Sequence, residues 1–219
     1  MARRILAGLL VAALSLPGIA TAEEEPAHTV VLAEDSLELR RYEPMIVAEV
    51  RVKSDRDDAI SAGFRYLADY IFGGNAPNTE IAMTAPVTQS REGVEIEMTA
   101  PVTQSREAEG IWIVRFVMPR EWTMATLPKP NDPSVRLIEV PAATRAVITF
   151  SGRAARKTLD TQQAELQQWI ATKGWTAEGE ATYAYYDPPW TLPFLRRNEI
   201  MWTVSGPGVN PGVTPGSGG

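Results

Sequence analysis

The order of local patterns along the chain constrains the fold most strongly, because the same order of elements occurs twice. Each half contains strand-like alternation, then an amphipathic helical pattern, then further strands. The predicted strands span residues 30–32, 37–42, 45–52 and 111–118 in the first half and 135–140, 145–150, 182–186 and 199–204 in the second. Two such units, as two βαβ-type halves, predict an α+β domain with an antiparallel sheet curled around its core.

Both predicted helices have an apolar stripe and a glycine that ends them. The first begins near Arg56, with Ser54 or Asp55 as its N-cap, and ends at Gly73. The second spans residues 155–173 and stops at Gly174. The stripes expected to face the sheet are Ile60, Phe64, Leu67 and Ile71 on the first helix and Leu159, Leu166, Trp169 and Ile170 on the second.

A near-exact internal repeat lies within the first half, before the predicted strand over residues 111–118. Residues 80–92 return fifteen positions later as residues 95–107. The offset is too short for a solenoid unit. The composition of each copy predicts two adjacent strands of an antiparallel meander, continued by residues 111–118. Pro86 and Pro101 cannot donate ladder hydrogen bonds, so each is expected at an edge, a bulge or a strand end.

The two ends of the chain are expected to lie outside the domain. Arg3 and Arg4 precede an apolar run over residues 5–16, and Ala20-Thr21-Ala22 fits a small-residue cleavage site. Residues 1–22 therefore predict a signal peptide and export to the periplasm or beyond, with a retained anchor as the alternative and no membrane span after cleavage. Residues 23–204 form the predicted single domain. Residues 205–219, which are rich in Gly and Pro, predict a disordered tail.

Composition excludes several functions. The chain has a formal net charge of −6, and removal of Arg3 and Arg4 makes it more acidic, so nucleic acid is not an expected partner. It contains no cysteine, which excludes disulfides, thiolate metal sites and covalent haem attachment through cysteine. No phosphate-binding loop, dinucleotide fingerprint or nucleophile elbow occurs. We therefore expect a non-enzymatic protein, and we expect it to be a monomer.

Several ordered motifs resemble one family. They are Tyr70-Ile71-Phe72-Gly73-Gly74-Asn75, Ile81-Ala82-Met83-Thr84-Ala85-Pro86-Val87, Phe116-Val117-Met118-Pro119, Leu127-Pro128-Lys129-Pro130, Tyr186-Asp187-Pro188-Pro189 and Arg196-Arg197-Asn198-Glu199-Ile200. Together they are similar to the SOUL haem-binding family, from about residue 30 to residue 204. The resemblance implies that the two βαβ-type halves form a distorted antiparallel β-barrel-like sheet flanked by two helices, a fold that is SOUL-like and effector-binding-domain-like. It also implies a hydrophobic tetrapyrrole groove between the first helix and the loop over residues 187–198.

The predicted cofactor-binding residues lie on these two segments. They are Phe64, Arg65, Ala68 and Phe72 on the helix and Trp190, Leu192, Phe194 and Arg196 on the loop. Arg65 is the expected partner of a propionate, whereas Asp69 would repel one. Packing of the loop into its own core as a lid remains an alternative. Arg196 and Arg197 could also bind a propionate from the loop, or they could equally hold the loop's backbone or pair with Glu199.

The resulting hypothesis is an exported binder of haem or another porphyrin, held non-covalently and without strong axial ligation. His28 is the single histidine and lies in an N-terminal arm, where we expect it to be solvated. Met83 and Met98 could ligate iron but are expected to pack in the core. The alternatives are a pocket for another apolar small molecule and an enzyme acting on such a ligand.

Overall fold

The computed structural model describes residues 24–76, 94–188 and 190–209. Its two helices are α1 (Arg56–Ile71) and α2 (Arg156–Thr172), and Pro193–Leu195 forms a short 3₁₀ turn. The strands are β1 (His28–Glu34), β2 (Leu37–Tyr42), β3 (Met45–Lys53), β4 (Asn75–Ala76), β5 (Val102–Ala108), β6 (Ile111–Val117), β7 (Lys129–Pro130), β8 (Arg136–Val140), β9 (Ala143–Ser151), β10 (Thr176–Tyr185) and β11 (Arg197–Ser205).

Nine of these strands form one curled antiparallel sheet. Their order is β1-β2-β9-β11-β10-β5-β6-β3-β8, and β4 pairs separately with β7. Strands of the two halves pair with each other: β2 of the first half pairs with β9 of the second, and β8 of the second half pairs with β3 of the first. The helices pack on one face, α1 against β3 and β6 and α2 against β9, β10 and β11. The predicted fold class is therefore confirmed.

Helix α1 begins where the sequence predicts, and its cap is Asp55. The Asp55 carboxylate accepts a hydrogen bond from the Asp58 backbone N–H at 3.0 Å, which satisfies one free donor of the first turn. Gly63 is buried against β6, and a Cβ at this position would lie 2.5 Å from Val114 Cγ2. Glycine therefore allows the helix to approach the sheet closely.

The expected buried stripe of α1 is only partly correct. Leu67 and Ile71 are buried, but Phe64 is 38% exposed. Residues Ala59, Gly63 and Tyr70 are buried instead, which rotates the buried face away from Phe64. The small side chains at two of these positions gave no hydrophobic signal in the sequence. On α2, by contrast, Leu159, Leu166, Trp169 and Ile170 are all buried as predicted.

The second copy of the repeat is only partly a strand. Within it, β5 begins at Val102, directly after Pro101, so the expected position of this proline at a strand end is confirmed. β5 pairs with β6 on one side, as predicted, and with β10 on the other over Val102–Ser105. The prediction that the two copies are neighbouring strands is therefore wrong for this part of β5. Tertiary pairing decides which strand lies beside it, and a local pattern does not encode that choice.

Some predictions concern residues that the structure does not describe, and these stay predictions. They are the signal peptide over residues 1–22, the first repeat copy with Met83 and Pro86, and the tail over residues 210–219. The expected start of the tail at residue 205 is too early. Ser205 ends β11, and Val209 is buried in the core beside α2. The Trp175 indole N–H also donates to the Pro207 carbonyl at 3.0 Å.

Candidate functional site

Helix α1 presents an apolar row beside its buried face. Phe64, Ala68 and Phe72 follow one another at intervals of four residues, so they lie one above the other on the helix surface. Phe72 is 58% exposed and Ala68 is half-buried, while the Phe64 ring meets the edge of Phe116 with centroids 5.3 Å apart. Arg65 is exposed next to this row. The four residues predicted on α1 thus form one accessible surface, named here the α1 row.

The loop between β10 and β11 carries the second predicted group. Trp190, Leu192 and Phe194 are 83%, 56% and 69% exposed, and Leu195 is 63% exposed. The loop's backbone is nevertheless held in place. The Gly152 N–H donates to the Pro193 carbonyl at 2.9 Å, and the Arg197 N–H donates to Asp187 Oδ2 at 2.6 Å.

This exposure decides whether the loop packs on the core as a lid or presents its apolar side chains at the surface. Its apolar side chains do not pack into the protein's own core as a lid, because most of their surface faces outward. Arg196 holds the loop's own backbone, since its Nε donates to the Thr191 carbonyl at 2.7 Å. Arg197 pairs with Glu199 at 2.8 Å. The structure thus leaves two exposed apolar groups, one on α1 and one on the loop, and exposed apolar patches mark binding surfaces.

The face of the sheet opposite the helices carries buried charged side chains beside an apolar cluster, and the sequence did not reveal how these charges pair. Strand residues alternate between faces, and on β11 Ile200 and Trp202 pack beneath α2 whereas Glu199 and Met201 point to the other side. The Glu199 side chain is fully buried there and surrounded by donors. They are Arg40 Nη1, at 3.0 Å from both carboxylate oxygens, Arg197 Nη2 at 2.8 Å and the Tyr186 hydroxyl at 2.7 Å.

This surrounding keeps Glu199 ionised. Burial alone would raise the pKa of the Glu199 carboxyl, but Arg40, the Tyr186 hydroxyl and Arg197 together hold its pKa below the usual value. Burial and the nearby Glu199 charge raise the pKa of Tyr186, so its hydroxyl stays protonated and donates. A carboxylate whose oxygens are all engaged in this way is suited to hold the strands together rather than to accept a substrate proton.

A second buried carboxylate occupies the same face in the other half. Glu49 on β3 is 1% exposed and binds Arg136 at 2.6 Å, Arg115 at 2.7 Å and Arg51 at 3.4 Å. The sequence shows polar residues alternating with apolar ones in β3, at Glu49 and Arg51, but only Glu49 is buried. What the sequence could not show is that Glu49 has partners from β6 and β8.

His28 lies elsewhere than predicted. It is the first residue of β1, its Nδ1 lies 3.0 Å from the Pro26 carbonyl, and its ring lies 5.0 Å from that of Tyr42. It is therefore held in the sheet rather than solvated in a mobile arm. Tyr42 belongs to the face without helices, so His28 lies on the side of the sheet opposite α1. Met98 is half-buried and packs against the core beneath α1.

Over residues 24–76, 94–188 and 190–209, no group of three or more His, Cys, Asp and Glu side chains could hold a metal ion. Within the same residues no helix is long and apolar enough to cross a membrane.

The curled sheet with two helices on one face defines a class of α+β domain that solved structures share. The C-terminal domain of EcmrR matches with a TM-score of 0.54 and 15% identity, over 77% of this chain and 96% of that domain. A hydrolase from Listeria innocua matches with a TM-score of 0.52 and 13% identity, over 80% of this chain and 94% of that one. At these identities the similarity concerns the fold alone.

Sequence comparison identifies the family within this class. The family model described as SOUL heme-binding protein matches residues 23–203, so the chain belongs to that family. Heme-binding protein 2 of Homo sapiens is 29% identical over 171 residues, which cover 77% of this chain and 78% of the human protein. The Mus musculus protein of the same name is 28% identical over the same shares of both chains.

Proposed function

We propose that this protein is an exported, non-enzymatic binder of haem or a related porphyrin, which it holds non-covalently on apolar surface as a monomer. Membership of the SOUL heme-binding protein family is the observation that carries the proposal. Export rests on the pattern of residues 1–22, and the absence of an enzymatic role rests on the lack of a recognised catalytic motif.

The proposed binding surface consists of the α1 row and the loop. A planar macrocycle would gain most by covering Phe72 and Phe194, whose rings are among the most exposed apolar groups of the described residues. Arg65 lies beside the α1 row and would hold a propionate by a charge-assisted hydrogen bond. When bound, haem would supply redox and oxygen chemistry through its iron, whereas the protein's side chains would bind and orient the ring.

Iron ligation is not needed for affinity in this arrangement. Burial of about 500 Å² of apolar surface contributes about 12 kcal/mol at roughly 25 cal/mol per Å². Association costs at least about 4 kcal/mol, so the remainder corresponds to a dissociation constant in the micromolar range. His28 lies on the face of the sheet opposite α1, and the chain contains no other histidine and no cysteine.

Haemin titration followed by the Soret band tests the proposal. The wild type is expected to bind with micromolar affinity, and His28→Ala is expected to bind equally well because the histidine faces away from the surface. Metal-free protoporphyrin should compete almost as strongly as haemin. Failure of the wild type to bind either tetrapyrrole would overturn the proposed function. A large loss in a folded His28→Ala variant would instead show that the ligand lies on the other face.

A further inference from the structure

The curl of the sheet encloses a small cavity on the face without helices. The cavity measures about 40 Å³, and its walls include Tyr42 of β2, Thr103 of β5, Val47 of β3 and Met201 of β11. β2 and β3 are separated by six strand spacings in the sheet order. A flat sheet would place them roughly 29 Å apart, at about 4.8 Å per strand. Side chains from both can line one small cavity only because the sheet closes around it.

Arg145 on β9 is the unusual residue of this cavity. Its Nη1 lies 3.4 Å from the Met201 sulfur, and its guanidinium lies 5.1 Å from the centre of the Tyr42 ring. Among the described residues no carboxylate lies within ion-pair distance of Arg145, whereas Arg40 and Arg115 on the same face each bind a buried glutamate. Burial lowers the pKa of Arg145, but an arginine remains charged.

The buried carboxylates of this face cannot compensate that charge. Glu199 and Glu49 already accept hydrogen bonds from at least two arginines each. Arg115, which also lines the cavity, adds a second positive group near Arg145 and further lowers its pKa. The cavity is therefore a positive site inside a chain whose formal net charge is −6. Arg145 is half-buried, and a charge partly withdrawn from water without a carboxylate partner is costly, so an anion beside Arg145 would reduce that cost.

The volume of the cavity and the side chains of its walls restrict which anions can bind there. A water molecule needs roughly 10–15 Å³ of such space, so about 40 Å³ holds about three non-hydrogen atoms, which matches a carboxylate group. The cavity shares Pro26, Met45, Val117 and Val140 with an adjoining cleft of about 820 Å³. These four side chains are apolar, so the path that leads away from Arg145 suits a hydrocarbon chain.

The N-terminal segment borders both spaces. Residues 24–27 precede β1, and Glu24, Glu25, Pro26 and Ala27 line the cleft. Glu25 pairs with Arg197 at 2.8 Å, and the Glu24 carbonyl accepts from the Ala100 N–H at 3.1 Å. Glu24 also pairs with Arg120 at 3.1 Å, and the Ala27 carbonyl accepts from the Glu43 N–H at 3.0 Å, so this segment forms a fixed wall of the cleft.

We propose that the interior of the curled sheet binds an apolar monocarboxylate, with its carboxylate on Arg145 and its hydrocarbon chain along Met45, Val117 and Val140 into the adjoining cleft. This site lies on the opposite face of the sheet from the α1 row. It is independent of the proposed porphyrin surface and does not require it.

Calorimetric titration with decanoate tests this proposal on the mature chain. Wild-type protein should bind one decanoate, and decanol, which lacks the charge, should bind at least tenfold more weakly. Arg145→Met should weaken decanoate affinity at least tenfold. Arg41→Met, at an exposed position of β2, should leave the decanoate affinity unchanged. Arg145→Lys keeps a charge and should bind better than Arg145→Met.

Two further readouts separate a binding role from a structural one. Arg145→Met removes a half-buried charge that has no carboxylate partner among the described residues, so the ligand-free variant should melt no lower than the wild type. Haemin should not displace decanoate. Equal decanoate affinity in Arg145→Met and the wild type, or one-for-one displacement by haemin, would overturn the proposal. If Arg145→Met fails to fold, equal decanoate and decanol binding by the wild type would still refute it.

Discussion

Glu199→Gln is the perturbation whose consequences the structure defines best. The substitution keeps the size of the side chain but removes its charge, so Arg40 and Arg197 lose their shared carboxylate within a buried site. Breaking a buried ion pair by removing one partner typically costs about 3–5 kcal/mol. The glutamine oxygen can still accept from the Tyr186 hydroxyl, so we expect the lower end of this range.

Thermal unfolding can detect a change of this size. For a domain of 150–250 residues, 1 kcal/mol corresponds to about 2–4 °C in Tm. A cost of about 3 kcal/mol therefore predicts that Glu199→Gln melts about 6–12 °C below the wild type at pH 7. Glu178→Gln, at an exposed position of β10, is the matched control and should change stability by less than about 0.5 kcal/mol.

The pH dependence adds an independent check. The pKa of Glu199 is lower in the folded protein than its ordinary value, so its stabilising contribution is complete above the unfolded pKa of about 4.3. The contribution disappears as pH falls through the lower folded pKa. The difference in stability between the wild type and Glu199→Gln should thus be constant from pH 7 to about pH 5 and should shrink below that. Equal melting temperatures at pH 7, or a gap that widens in acid, would refute this account of Glu199.

Two further predictions concern the helix and the N-terminus. Gly63→Ala should lower the free energy of unfolding, measured in urea, by up to about 2 kcal/mol. Overpacking against Val114 costs about 1–3 kcal/mol, whereas the better helix propensity of alanine stabilises α1 by about 1 kcal/mol. The same change should cost less in a Val114→Ala background, and a more stable Gly63→Ala single variant would contradict the close approach of α1. N-terminal sequencing of protein purified from its own host should begin at Glu23, and an intact Met1 in the cytoplasm would rule out cleavage after Ala22.

Sequence patterns predicted the elements better than their contacts. The stripe on α2 consists of large apolar residues and was located correctly. On α1 the buried face includes Ala59 and Gly63, whose small side chains carry no apolar signal, and Phe64 was wrongly assigned to it. The second repeat copy was expected beside the first, but β10 pairs with its strand over Val102–Ser105. Long-range pairing depends on residues that a local window does not contain.

The predicted site was limited in the same way. Helical spacing and an unusually apolar loop are local signals, so the sequence indicated surface positions on α1 and on the loop, most of which are exposed, while Ala68 and Arg196 are half-buried. The network around Glu199 was missed, since Arg40 reaches it from β2, 159 positions earlier in the chain. Arg145 was missed for a different reason. An arginine in a strand predicts an exposed side chain, and only the curl of the sheet places this one inside.

The most direct measurement of the central claim is haemin affinity in variants of the proposed surface. Phe72→Ser and Phe194→Ser each remove an exposed ring, one from the α1 row and one from the loop, and neither should destabilise the fold appreciably. Tyr66→Ser removes an exposed aromatic ring from the opposite flank of α1 and serves as the control. The account predicts that both phenylalanine variants lose about tenfold or more in haemin affinity while Tyr66→Ser binds as the wild type does. Wild-type affinity in both Phe72→Ser and Phe194→Ser would contradict it.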